Sequence, residues 1–285
     1  MFQKARRTDT FIKLAMFGPS GSGKTYSALR LARGLVGPTG RIAFVDTENR
    51  SATLYSDLTE FYHLDLRPPF DHQKFIDSSK EAEKSGYDCV IIDSASHLWQ
   101  GILDEKTNID RRGGNQYTNW SEPTKHFNEV VQSFLQSRIH TISCMRSKQE
   151  YVLQTETNAK GREVQVPKKV GMAPVIRDNA EYEFTTVFEI GMDHLCATSK
   201  DRTGLFTDKT FQITEETGEQ IKKWLSEAKP ILHCAETDKF LMLIRNTDSK
   251  ESLREIGTKI KESTLPETQK DILRTVWTER NNAQI

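Results

Sequence analysis

Residues Gly18-Pro19-Ser20-Gly21-Ser22-Gly23-Lys24-Thr25 fit the pattern G-x-x-x-x-G-K-[ST]. Glycines at these places let backbone N–H groups close around a phosphate. A helix beginning just after them adds free N–H groups and the positive end of its dipole. In such a loop Lys24 reaches the β- and γ-phosphates of a nucleotide and Thr25 ligates Mg²⁺; Tyr26 follows directly and completes the candidate binding set. Two carboxylates suit the same chemistry. Glu48 lies just past the apolar run 41–46, at the strand edge where open α/β sheets bind ligands, and is placed to orient an attacking water. Asp93 ends Cys89-Val90-Ile91-Ile92 and would hold the metal, largely through water. Arg146-Ser147-Lys148 end the apolar run 139–145 and can sense a γ-phosphate, contact nucleic acid or be plain surface charge. Lys200 and Arg202 stand one residue apart on a tight turn, so they can project together toward the nucleotide of a neighbouring subunit.

The surrounding pattern predicts the elements that must hold these groups. Residues 12–17 form an apolar strand, and Ala28, Leu31, Ala32 and Leu35 recur at helical spacing after the loop. Residues 52–70 read as irregular, broken by Pro68-Pro69. Asp71 caps a polar helix over 72–85 that stops at Gly86. The Asp93 strand spans 87–94 and a short helix follows it. Residues 104–119, which carry Arg111-Arg112-Gly113-Gly114, show no periodicity and read as a long loop. A helix over 121–137 buries Phe127, Val130, Val131, Phe134 and Leu135. Residues 151–154 and 163–166 read as a β-hairpin with a basic tip at Lys160 and Arg162. Strands over 182–190 and 193–198 come next, then a helix over 215–229 closed by Pro230. The layout is an N-terminal arm (1–11), a core (12–229) and a small helical module (230–285) without catalytic groups, suited to packing or partner binding.

Forty basic residues balance forty acidic ones, so no global field draws the chain to nucleic acid. Any such binding must be local. From residue 160 to 177 there are five basic residues and one acidic, and Tyr151 could add a stacking face; a solvated hairpin is the plainer reading. The nucleic-acid candidates are Arg111, Arg112, Arg146, Lys148, Lys160, Arg162, Lys168 and Lys169. Cys89, Cys144, Cys196 and Cys234 form no C-x-x-C pair and read as reduced, mostly buried thiols of a cytoplasmic protein. No run approaches the ~18 apolar residues of a membrane span, and Met1 to Arg7 lack the apolar stretch of a signal peptide.

The order of these motifs resembles the RecA-like ATPase core. Ala43-Phe44-Val45-Asp46-Thr47-Glu48, Val90-Ile91-Ile92-Asp93-Ser94 and Lys200-Asp201-Arg202-Thr203-Gly204 carry the likeness. More narrowly, residues 2–226 are similar to phage-encoded single-domain RecA-like ATPases grouped with Sak-type annealing or recombination ATPases. That likeness rests on residues 18–26, 145–148, 169–174 and 200–206. The resemblance implies an α/β P-loop NTPase fold, its mostly parallel central sheet flanked by helices, with a β-hairpin insertion and a C-terminal helical module. It implies ATP and Mg²⁺ as cofactors, with Lys24 and Thr25 on phosphate and metal. Glu48 becomes general base, Asp93 the metal-shell carboxylate, and Lys200 and Arg202 fingers acting in trans. Residues 104–119 and 146–171 become DNA-facing loops. Self-assembly as a ring or filament on single-stranded DNA, in phage recombination or replication within a bacterial host, is the implied function. An ATP-dependent loader or regulator of a protein partner is the alternative. A single-strand-binding or other recombination protein would dock on residues 231–285. Arg146 departs from the family, which has glutamine there. Phe2-Gln3-Lys4-Ala5 has the F-x-x-A spacing by which recombinases dock one subunit on the next.

Overall fold

The computed structural model describes residue 7 and residues 10–157, 163–226, 235–247, 249–265 and 267–283. Phe2, Ala5, Lys160, Arg162 and Cys234 lie outside the described residues, and of Lys168 and Lys169 only the backbone is described. The chain forms two compact units, residues 1–227 and 228–285.

In the first unit, six parallel strands run in the order β3 (Tyr62–Asp65), β2 (Ile42–Asp46), β4 (Cys89–Asp93), β5 (His140–Thr157), β1 (Lys13–Gly18) and β7 (Thr186–Ile190). Antiparallel β8 (Cys196–Asp201) and β9 (Thr210–Phe211) extend the sheet past β7. β1, β2 and β4 are buried along their whole length, as strands covered on both faces must be. Alternate residues feed two cores. Leu14, Met16, Phe44 and Ile91 pack beneath α1 (Lys24–Val36) and α5 (Glu215–Ser226). Ala15, Phe17, Val45 and Ile92 pack beneath α2 (His72–Lys84), α3 (Ala95–Arg111) and α4 (Ser121–Gln136). α1 and α5 meet backbone to backbone: a Cβ on Gly34 would lie 1.8 Å from the Glu215 carbonyl oxygen, and one on Gly218 would lie 2.1 Å from that of Leu31. Arg30 donates to the Glu215 carboxylate at 2.8 Å beside this crossing.

The architecture is the expected one, with several local corrections. Residues 52–70 are not wholly irregular. They hold a single 3₁₀ turn and β3, an edge strand whose half-exposed Tyr62 and Leu64 give little periodic signal. The expected loop 104–119 is helical as far as Arg111. The second half of α3 is held by i,i+4 pairs, Gln100 with Asp104 and Lys106 with Asp110, rather than by an apolar stripe. Arg146, Ser147 and Lys148 do not end a strand; β5 continues through them and pairs with antiparallel β6 (Glu163–Pro174) from Ser147↔Pro174 to Thr157↔Glu163. The strand expected at 182 begins at Thr186, because residues 180–183 form a 3₁₀ turn. β8 begins at Cys196 rather than 193 and runs through Lys200 to Asp201, so the turn starts three residues later than expected. Cys89, Cys144 and Cys196 are free and buried, as expected; burial pushes the Cys89 and Cys196 thiols up to about 12.

The second unit packs α6 (Ala235–Arg245), α7 (Lys250–Glu262) and α8 (Glu267–Ala283) around Ile244, Leu253, Ile256, Ile260 and Leu273. Trp277 Nε1 donates to the Leu253 carbonyl at 2.5 Å. Among the described residues no helix is long and apolar enough to cross a membrane.

Candidate nucleotide site

The phosphate loop leaves β1 at Gly18 and enters α1 at Lys24. Gly21 and Gly23 take φ of 82° and 86°, backbone that a side chain would strain. Gly23 is the helix N-cap and supplies no side-chain bond, and the first turn holds no acid. The N–H groups at that end are therefore left for an anion. Lys24 Nζ folds back onto the carbonyls of Gly18 (3.0 Å) and Pro19 (2.8 Å). Thr25 Oγ1 donates to Asp93 Oδ2 at 2.5 Å, so the end of β4 meets the first turn of α1. Burial pushes the Asp93 carboxyl up to about 6. The Thr25 hydroxyl and Lys24 oppose that rise, while the like charges of Glu48 and Asp46 add to it.

Glu48 stands two residues past β2, adjacent to β4 in the sheet. The buried Asp46 carboxylate shapes that corner by accepting from the N–H groups of Glu48 (2.6 Å) and Ala52 (2.9 Å). Thr47 ties the corner to β4 and α3: its hydroxyl accepts from Ser94 N at 2.7 Å and pairs with His97 Nδ1 at 2.7 Å. Arg146 donates to Glu48 Oε1 through Nη2 (2.8 Å) and Nε (3.0 Å), and its own N–H is held by Ser96 Oγ at 3.0 Å.

These groups border one cleft of about 930 Å³, lined by the loop from Ser20 to Ser27, Glu48, Asp93, Arg146, Ser147, His194 and an apolar end of Leu54, Tyr55 and Ile213. The hydroxyls of Ser22 and Ser147 are buried there without a hydrogen-bond partner. Open helix N–H groups, orphaned hydroxyls, an ammonium and a buried carboxylate fit a nucleoside triphosphate with Mg²⁺. The apolar end, with Tyr26 set edge-on to Tyr55 at 5.9 Å, suits a base.

A family model described as an AAA domain matches residues 10–224. The chain belongs to this family. It is accordingly a nucleotide-binding ATPase-type protein of the P-loop class, and the fold and cleft agree with that membership. No curated protein matches the chain.

In this AAA-domain protein Lys200 and Arg202 are not in the cleft. Both donate to the Tyr182 carbonyl, Arg202 Nη2 at 2.8 Å, and Lys200 also reaches the Glu181 carbonyl at 3.0 Å. The Asp201 carboxylate builds the turn that follows β8 by accepting from the N–H groups of Thr203 and Phe206, each at 2.8 Å. Arg202 N bonds Thr185 O, and Thr185 N bonds Lys13 O. The pair therefore flanks the start of β1, whereas the phosphate loop follows its end. At ~3.3 Å per strand residue, roughly 17 Å separates the two. Arg111 and Arg112 are exposed at the end of α3, and Lys148 is exposed on β5.

Sequence reading missed several groups at the cleft. His194, with φ 62°, brings Nδ1 to 3.1 Å from the Ser22 carbonyl and so braces the loop from β7's exit. Thr47, Ser96 and His97 brace Glu48 and Arg146. A histidine in a polar turn and hydroxyls in ordinary loops carry no spacing signal. Only the neighbourhood of Thr47 to Glu48 hinted at its place.

Proposed function

We propose that this protein binds and hydrolyses ATP with Mg²⁺, assembles with itself, and acts on single-stranded DNA in phage recombination or replication. The observation that carries the hydrolytic reading is the convergence of Lys24, Thr25, Glu48 and Asp93 on one cleft. Mg²⁺ supplies charge neutralisation for the phosphates. Thr25 and Asp93 would hold it, and Lys24 would exchange its two carbonyl partners for phosphate oxygens. Glu48 orients water and takes its proton. The Arg146 guanidinium lies on that carboxylate, so Glu48 would work once Arg146 turns to the phosphates. Since Arg146 opens the β5–β6 hairpin, this exchange would pass nucleotide state to the hairpin, the proposed DNA-facing arm.

Self-assembly is supported by the position of Lys200 and Arg202, side by side on one carbonyl and far from their own subunit's loop. On assembly the two cations would exchange their carbonyl partners for a neighbour's γ-phosphate, and a finger of this kind contributes about 10³–10⁵ in rate. The test is turnover per subunit against protein concentration, with and without single-stranded DNA. We expect it to rise with both. A rate independent of both contradicts the reading.

A further inference from the structure

We propose that His72, His126 and Glu129 form a binding site for one divalent transition-metal ion of the zinc class, separate from the nucleotide cleft, with Glu105 as its orienting partner. His72 is the first residue of α2, after the capping Asp71. His126 lies in α4, and Glu129 follows it by almost one turn, on the same face. The two imidazoles stack with centroids 3.9 Å apart and planes 10° apart. One ring nitrogen of each and a carboxylate oxygen of Glu129 all lie within 4.8 Å of one another. Ligand atoms around a tetrahedral zinc are about 3.4 Å apart, given bonds of ~2.0–2.2 Å. Convergence on one ion therefore requires the stacked rings, whose in-plane lone pairs run nearly parallel, to rotate apart.

Protonation favours the same role. Glu105 Oε1 lies 2.8 Å from His126 Nδ1 and accepts a hydrogen bond from its N–H, so in the neutral imidazole of that tautomer Nε2 carries the lone pair. A carboxylate behind a ligating histidine is the usual support of zinc imidazoles. Asp71 Oδ1 lies 3.5 Å from His72 Nδ1 in the same sense. Glu105, Glu122 and His126 form a second convergent set, so His126 is common to both. The opposing charge is Lys125, whose Nζ is 3.8 Å from Glu129; this exposed pair is weak and yields easily. The histidine side chains are 18% and 20% exposed, desolvated enough to favour a ligand and open enough to admit one. Two imidazoles with a carboxylate select zinc, cobalt or nickel over Mg²⁺, which prefers oxygen alone. The bound ion would pin the start of α2 to α4.

The experiment titrates tag-free, chelator-stripped, full-length protein with Zn²⁺ by calorimetry and with Co²⁺ by visible absorption, without nucleotide. One equivalent should bind, with the strong visible bands of four-coordinate Co²⁺. His126→Ala and Glu129→Gln should each weaken binding at least tenfold, while Asp93→Asn leaves it unchanged. Glu129 is exposed, so its variant keeps the test valid if His126→Ala does not fold. Absence of stoichiometric uptake at micromolar metal overturns the proposal, as does uptake that both variants retain in full.

Discussion

Asp93→Asn should stabilise the nucleotide-free protein while abolishing its function. Asp93 is 4% exposed, and burial raises its carboxyl from 3.8 to about 6. Between those two pH values the folded chain holds a proton that the unfolded chain has lost. Stability attributable to this group therefore falls as pH rises through that window and stays low above it. The gap corresponds to at most about 3 kcal/mol at pH 8. Water in the open cleft screens part of this, leaving about 1–2 kcal/mol, or roughly 3–6 °C in melting temperature for a unit of this size. The asparagine is isosteric and its amide oxygen can still accept from Thr25. Thermal melts of both proteins in chelator at pH 5 and pH 8 should show the variant ahead at pH 8 and the difference shrinking at pH 5. Mg²⁺-dependent nucleotide affinity should rise past pH 6 in the wild type and stay weak and flat in the variant. A variant that melts no higher at pH 8, or a gap that does not narrow on acidification, refutes this reasoning.

Lys24→Ala should weaken binding of a fluorescent ATP analogue at least tenfold. The melting temperature should stay within about 4 °C, since the ammonium bonds only two loop carbonyls in the free protein. Gly218→Ala, read by urea unfolding, should destabilise the first unit by about 2–4 kcal/mol, because its Cβ would meet backbone of α1 rather than a movable side chain. Lys200→Ala and Arg202→Ala should each lower turnover at high protein concentration by about 10³ and leave nucleotide affinity of the dilute protein unchanged.

The parts legible from sequence were those where local composition and tertiary role coincide. β1, β2 and β4 are continuous apolar runs because both faces are covered, and α1 and α4 show their buried stripes. Elements whose stability comes from elsewhere were hidden. β3 is a half-exposed edge, the end of α3 rests on polar pairs, and β5 gains its second half only by pairing with β6. At the site, the loop and the carboxylates were readable as spacings along the chain. The Glu48–Arg146 pair joins residues 98 apart, and the Ser22–His194 brace joins residues 172 apart. Both depend on which strands lie side by side, and strand order is not written in any local string.

The claim that each site is completed by a neighbouring copy is tested most directly by mixing two defective variants. Lys24→Ala subunits should not hold nucleotide but still carry Lys200 and Arg202. Lys200→Ala/Arg202→Ala subunits should hold nucleotide but lend no cations. Each alone should be nearly inactive, and an equimolar mixture should recover ATP hydrolysis well above the sum of the two. A mixture no more active than its components would contradict the account.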